Sequence, residues 1–204
     1  MDAGKRIGNF VKDNLVLVTI MILVLVTAVL EPKFLTIANM GNLMNQFGPL
    51  SFVALGMTLA IIGGFIDLSV AGIVSLSAVF TLSMIDALGQ FGALLAGLSA
   101  GALLGLVNAG VVVSCGALTQ AKALFITYGL SAVFSALALL YTDGATQHMS
   151  HLESGTDLFR VIGSGRIGFV PVSFLLFILI MSLLHLFLMR TQTGREICLR
   201  GANI

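Results

Sequence analysis

Asp67 is the acidic residue most deeply set within an apolar part of this 204-residue chain. It follows Gly63 and Gly64 and leaves almost no loop between two hydrophobic stretches. One interpretation is a tight hairpin in which Asp67 caps the next helix, since Asp is a favoured N-cap residue. The other is a broken helix that places backbone groups and Asp67 beside a polar pathway, because irregular backbone at membrane depth needs protein or water around it. The two interpretations are compatible, and both remain open.

Few other polar side chains interrupt the hydrophobic stretches. Buried polar groups in a membrane usually face other helices or water. Most of this set is therefore expected to link helices, and Asn108 and Thr127 are the better candidates for a substrate route. The set comprises Ser75, Ser77, Thr81, Asn108, Thr127, Ser131 and Ser135.

Patterns associated with catalysis or metal binding lack the context that they need. His148, His151, Glu153 and Asp157 fall together in a polar segment, but nothing predicts a helix that would direct both imidazoles to one ion. Residues 163–168 match G-x-G-x-x-G without the preceding strand and following helix of a dinucleotide site. The absence of a G-x-x-x-x-G-K-[ST] motif assigns any ATP dependence to a partner. We therefore predict no catalytic residue, no metal site and no cofactor on this chain.

The composition indicates what kind of protein positions these residues. Hydrophobic residues make up 58% of the chain, charged residues 9%, and the mean hydropathy is +1.09. A soluble domain carries about a quarter charged residues. The chain is therefore predicted to be a polytopic α-helical membrane protein surrounded by lipid.

A net charge of +1 without a basic cluster does not suggest nucleic-acid binding. Cys115 and Cys198 have no spacing typical of a disulfide framework or thiolate site.

Six stretches come near the roughly 20 apolar residues that a membrane-spanning helix needs. They are Leu15–Leu30, Leu50–Ile66, Leu68–Ile85, Phe91–Val113, Ala123–Tyr141 and Val170–Met189. The first resembles a signal peptide, but Glu31-Pro32-Lys33 follows it in place of a cleavage site, so an uncleaved helix is expected. We thus predict an all-α transmembrane bundle of about six spans with a possible broken helix around Asp67.

Lys and Arg residues predict that the N-terminus is cytoplasmic. With that orientation, seven basic residues lie inside and three lie outside. The inner set is Lys5, Arg6, Lys12, Lys122, Arg190, Arg195 and Arg200, and the outer set is Lys33, Arg160 and Arg166.

The fourth stretch has a small residue at every fourth position, namely Ala93, Gly97, Gly101, Gly105 and Ala109. This spacing lets another backbone approach one helical face. We expect Gly97, Gly101 and Gly105 to pack against a neighbouring helix or a second subunit. The polar segment from Thr142 to Gly168 is either a connector or a surface that receives a soluble partner.

Five motifs in order resemble the permeases of bacterial ABC importers for ribose, galactose, xylose and autoinducer-2, which are related to branched-chain amino-acid permeases. Residues 54–70, ALGMTLAIIGGFIDLSV, resemble the family's GMTLVILTGGIDLSVG. The other matches are GLVNAG at 105–110, LFITYG at 124–129, YTDG at 141–144, and TGR at 193–195 with GAN at 201–203. The departures are an inserted Phe65, Ala71 for the usual Gly and Tyr128 for the usual Leu.

The resemblance implies a single transmembrane permease domain over residues 1–204, corresponding to the N-terminal two-thirds of the family's usual length. It implies a path between two permease subunits, a periplasmic sugar-binding protein outside, and a cytoplasmic ATP-binding subunit inside. Asp67 and Ser69 would then shape the path, and Asn108 and Thr127 would offer hydrogen bonds to sugar hydroxyls. The ATPase coupling surface would include Gly194, Arg195, Gly201 and Asn203. The alternatives are an ion-coupled secondary transporter with Asp67 as its ion site, and a truncated fragment without transport activity.

Overall fold

The computed structural model describes residues 12–117, 119–149 and 155–201. The described part of the chain is mostly helical, which confirms the predicted all-α bundle, with one two-stranded antiparallel hairpin that pairs Arg166 with Pro171. The elements are α1 Leu15–Leu30, α2 Ile37–Ile62, α3 Val70–Ser114, α4 Gln120–Tyr141, α5 Asp157–Ser164, β1 Arg166–Ile167, β2 Val170–Pro171, α6 Val172–Arg190 and α7 Gln192–Gly201.

Helices α2, α3, α4 and α6 are long and apolar enough to cross a membrane, whereas α1 is a shorter apolar helix of 16 residues. Most large hydrophobic side chains on these helices are exposed, and α1 buries no residue. In a bilayer this apolar surface contacts lipid, so the chain is a multi-pass membrane protein.

Helix α3 consists of two antiparallel helices joined at Gly89. That residue has φ 68° and ψ 172°, a conformation that is essentially restricted to glycine. A Cβ atom at Gly97 would collide with Oγ1 of Thr81, and one at Gly101 would lie 3.9 Å from Cβ of Ser77. Both pairs are symmetric about Gly89, as expected for a hairpin. Residues 70–88 (α3a) and 90–114 (α3b) thus correspond to the predicted third and fourth spans.

Helix α4 runs parallel to α3a. Hydrogen bonds join the two segments at pairs that advance together along both chains: Leu68 with Thr127, Gly72 with Ser131, and Ser83 with Tyr141. The three helices α3a, α3b and α4 therefore form an up-down-up unit.

Helices α2 and α6 also run parallel to each other. Gly48 lets the two backbones approach, since a Cβ there would lie 2.7 Å from Cβ of Ser173. On either side of Gly48, the rings of Phe47 and Phe52 contact that of Phe177, with centroids 5.8 and 6.4 Å away.

The bundle has two distinct ends. At the first, the Gln90 side chain accepts a hydrogen bond from the Leu158 backbone N–H, so the tip of the α3 hairpin contacts α5. We call this the Gly89 end. The opposite end holds the α2–α3 connection, Cys115 and α7, and we call it the Asp67 end.

The predicted second span, Leu50–Ile66, was wrong at both ends, because α2 runs from Ile37 to Ile62. Thr36 caps the helix by accepting a hydrogen bond from the Asn39 N–H at 3.3 Å. The first half of α2 carries amide side chains and contains Pro49 within the helix, so it does not form an apolar run. The polar segment after Thr142 likewise contains α5 and β1, which the sequence did not indicate.

Candidate functional site

The candidate site is built around residues 63–69, where the chain is not helical. Helix α2 closes with hydrogen bonds from Phe65 N to Ala60 O and from Gly64 N to Ile61 O, both 3.0 Å. Gly64 has φ 91°. This pattern is a Schellman motif, in which a glycine with positive φ ends a helix. The sequence Gly63-Gly64 thus explains why the helix stops before Asp67.

Beyond Gly64, the non-helical segment runs alongside α4, from its first residues toward Thr127, before α3a begins. The Gly64 carbonyl accepts a hydrogen bond from the Gln120 side chain at 3.1 Å, and the Leu68 N–H donates to the Thr127 hydroxyl at 3.0 Å. Gln120 and Thr127 are separated by about 10 Å of helix. The irregular backbone therefore lies about two turns inside the bundle, as in a broken helix, although the chain also reverses direction at the glycines.

Asp67 uses both carboxylate oxygens within the protein. Oδ1 accepts from the backbone N–H and the hydroxyl of Ser69 at 2.8 and 2.7 Å, and Oδ2 accepts from the Asn108 amide at 2.9 Å. Ser69 is fully buried and is itself the N-cap residue of α3. The interpretation in which Asp67 is the N-cap residue is therefore wrong, because Ser69 occupies that position and Asp67 accepts hydrogen bonds from it two residues earlier.

Asn108 and Thr127 reach this segment from two other helices. They are 6% and 3% exposed, respectively. The Thr127 hydroxyl accepts from Leu68 N–H and donates to the Leu124 carbonyl at 3.2 Å. Oδ1 of Asn108 is buried without a hydrogen-bond partner among the described residues. The structure thus brings together Asp67, Ser69, Asn108 and Thr127 from three parts of the chain.

A cavity of about 390 Å³ opens beside this network. Asp67, Asn108 and Thr127 supply its polar wall, and the remaining wall is largely apolar. A mainly apolar pocket with a few convergent polar groups is typical of small-molecule sites. The other lining residues are Leu59, Ala60, Gly63, Phe65, Ile66, Ala109, Val112, Ala123 and Ile197.

The glycines of α3b lie outside this cavity. Gly97 packs against Thr81, Gly101 is near Ser77, and no atom lies within 4 Å of a Cβ placed at Gly105. Ala93 is completely buried, whereas Ala109 is exposed. The small-residue face thus contacts the other half of the hairpin along part of its length.

The predicted coupling residues fall on α7 and just beyond it. Gly194 is buried against the end of α6, where a Cβ would lie 2.6 Å from Cα of Leu188. Arg195 is exposed, and Gly201 is the last residue of the helix. Asn203 lies outside the described residues.

Two contributors to the site carry no sequence signal of their own. Ile197 of α7 lines the cavity, but its residue type does not distinguish it from an isoleucine that only packs one face of a short amphipathic helix. Gln120 anchors Gly64, and its position beside Thr119 suggests only a helix start.

Among the residues that the structure describes, no group of three or more His, Cys, Asp and Glu side chains is arranged to hold a metal ion, while His151 and Glu153 fall outside those residues. Residues 163–168 connect the end of α5 to β1 and the following turn.

The amino-acid sequence matches a known protein family over most of its length. Residues 39–204 match the family described as branched-chain amino acid transport system / permease component. No solved structure shows significant similarity to the chain.

Several relatives match across most of the chain. The ribose import permease protein RbsC of Bacillus subtilis is 33% identical over 184 residues, which cover 89% of this chain and 55% of the relative. RbsC of Haemophilus influenzae is 28% identical, covering 97% and 60%. The autoinducer 2 import system permease protein LsrD of Photorhabdus temperata is 28% identical, covering 100% and 60%. The chain therefore spans less than two-thirds of the length of these relatives.

Proposed function

Because this chain belongs to the family of branched-chain amino acid transport system permease components, we propose that it is the membrane-spanning permease subunit of an ATP-driven sugar importer. Two of the relatives above are named as ribose import permeases. On this proposal residues 1–204 form a single permease domain, and the chain itself carries no catalytic residue and no cofactor.

The observation that carries the proposal is the polar wall of the cavity beside the broken segment. Asp67, Asn108 and Thr127 converge there from separate elements and are surrounded by apolar residues. Carboxylate, amide and hydroxyl groups form hydrogen bonds with sugar hydroxyls. Asp67, Asn108 and Thr127 would thus contribute to the translocation pathway, and Ser69 would hold Asp67 in place.

Three protein partners follow from the proposal. A periplasmic sugar-binding protein would dock at the Gly89 end, a cytoplasmic ATP-binding subunit would dock near α7, and a second permease subunit would complete the pathway. The bilayer would be the bacterial inner membrane, with the N-terminus in the cytoplasm. ATP drives transport in such a system only if the ATP-bound and ADP-bound states of the ATP-binding subunit favour different permease conformations.

Uptake of labelled ribose tests the proposal. The gene containing this sequence is expressed together with genes for an importer ATPase and a sugar-binding protein, in cells that lack ribose import. We expect uptake that requires an active ATPase. Uptake that persists with an inactive ATPase but collapses with the proton or sodium gradient would instead establish an ion-coupled carrier.

The variant Asp67→Asn tests the site. It should insert normally but reduce uptake by about tenfold or more, because a neutral amide cannot accept all three hydrogen bonds that the carboxylate accepts. Asp143→Asn, an exposed acidic position at the Gly89 end, is the matched control and should transport normally. Wild-type uptake by Asp67→Asn would remove Asp67 from the mechanism.

A further inference from the structure

The cavity beside Asp67 has one wall that belongs to a separate, short helix. Ile197 of α7 lines it together with residues of α2, α3b, α4 and the broken segment. Hydrogen bonds of Asn108, Thr127 and Gln120 join three of these segments, namely α3b, α4 and the broken segment, and α2 continues directly into the broken segment. Ile197 contributes an apolar side chain that can separate from them without breaking a hydrogen bond.

The attachment of α7 is concentrated at its joint with α6. The Thr191 carbonyl accepts from Arg195 N–H at 3.2 Å, and the Thr191 hydroxyl accepts from Gly194 N–H at 3.0 Å. Gly194 is pressed against the backbone of the last turns of α6. Movement of α7 would therefore pivot near residues 191–194 and displace Ile197 relative to the cavity.

We propose that Ile197 is a lid residue that closes the Asp67 cavity from α7, so that displacement of α7 opens the cavity. This rests on the proposed function only in that α7 would be moved by the ATP-binding subunit. On this proposal, Ile197 controls access to the pathway without binding the solute, and α7 contacts the cavity directly through this side chain. A half-buried isoleucine suits this role because apolar contacts are non-directional and are re-formed readily.

The experiment measures access to the cavity without any transported solute. Cys115 and Cys198, both exposed, are changed to Ser, and Ala123→Cys provides a reporter thiol in the cavity wall at a position that is only 1% exposed. The full chain in unsealed membrane fragments is treated with a charged maleimide. Ile197→Ala should raise the labelling rate about fivefold, the effect of losing part of one side chain's apolar burial. Ile197→Trp should lower it.

Leu199→Ala is the matched control, because Leu199 lies on the same helix and is 65% exposed. It should leave the labelling rate unchanged. The proposal is overturned if Ile197→Ala labels like the parent, if Leu199→Ala has the same effect, or if Ile197→Trp also raises the rate, which would indicate general loosening. Since labelling requires neither ATP nor sugar, its outcome is independent of the uptake test.

Discussion

At the scale of single residues, the environment of Asp67 is defined by its three hydrogen bonds. The carboxylate accepts two of them from Ser69 and the third from Asn108, 41 positions along the chain. The third bond fixes the non-helical segment against α3b. Removing a donor from a half-buried carboxylate leaves part of its desolvation uncompensated, so the Asp67–Asn108 pair should contribute to stability as well as to transport.

An exchange of the two side chains tests that pair. Asn108→Asp alone sets two carboxylates against each other and should destabilise the protein by about 1–3 kcal/mol. Adding Asp67→Asn should restore most of the loss, since the amide introduced at position 67 can donate to the carboxylate introduced at position 108, and its oxygen can accept from Ser69. The measurement is the apparent Tm in detergent, from thermal aggregation. A double variant no more stable than Asn108→Asp would show that the hydrogen bond does not link these positions.

The sequence indicates the members of this site better than their arrangement. Asp67, Asn108 and Thr127 are recognisable because each is polar within an apolar stretch, where such residues need a partner. Which partner each one has depends on the packing of α3b and α4, and no local pattern encodes a contact across 41 or 59 positions. Ile197 is unmarked for the opposite reason, because an apolar side chain is ordinary both in a helix core and on a cavity wall.

At the scale of elements, the α3 hairpin depends on close approach of its two halves. Gly97 and Gly105 are both helical glycines of α3b, but only Gly97 faces an atom that a methyl group would strike, Oγ1 of Thr81. Glycine to alanine raises helix propensity by about 1 kcal/mol at either position. The two substitutions therefore differ in packing alone.

We expect Gly97→Ala to lower the apparent Tm, because overpacking costs about 1–3 kcal/mol and exceeds the gain in propensity. Gly105→Ala should leave Tm unchanged or raise it slightly. Combining Gly97→Ala with Thr81→Ala should recover stability by making room for the methyl group. If Gly97→Ala were as stable as Gly105→Ala, the two halves would not pack as described.

Helix ends are predicted well where composition changes and poorly where it does not. The end of α2, at Ile62, lies four residues before the predicted end at Ile66, and the start of α4, at Gln120, lies three residues before the predicted Ala123. The start of α2 does not follow from hydropathy, because the amides before Pro49 resemble a loop although Thr36 caps a helix there. That half of α2 packs against α6, and the hydropathy pattern of the sequence contains no information about this contact.

At the scale of the whole molecule, the fold places both cysteines at one end of the bundle and Ser164 at the opposite end. Val112 and Ile197 line one cavity, so the nearby Cys115 and Cys198 lie at the same end of the bundle. Ser164, at the end of α5, lies at the other. The predicted orientation assigns the first end to the cytoplasm.

Labelling in intact cells and in inverted membrane vesicles checks this arrangement. Cys115 and Cys198 should react with a membrane-impermeant maleimide in inverted vesicles and should be protected in cells. Ser164→Cys, placed in a variant without the native cysteines, should show the reverse. Reaction of Cys115 and Cys198 from opposite faces would contradict the fold, and reversal of all three would contradict the orientation alone.

The turn at Gly89 has a consequence for how the protein is made. No Lys or Arg occurs between Lys33 and Lys122, so α2, α3a and α3b carry no basic residue of their own to direct them during insertion. Because the α3 turn is so short, its two halves can enter the lipid as a pair. Lys33 and Lys122, which flank these helices, would then set the direction in which α2, α3a and α3b insert. The segment that contains Asp67 would thus acquire its orientation during synthesis from residues outside these helices.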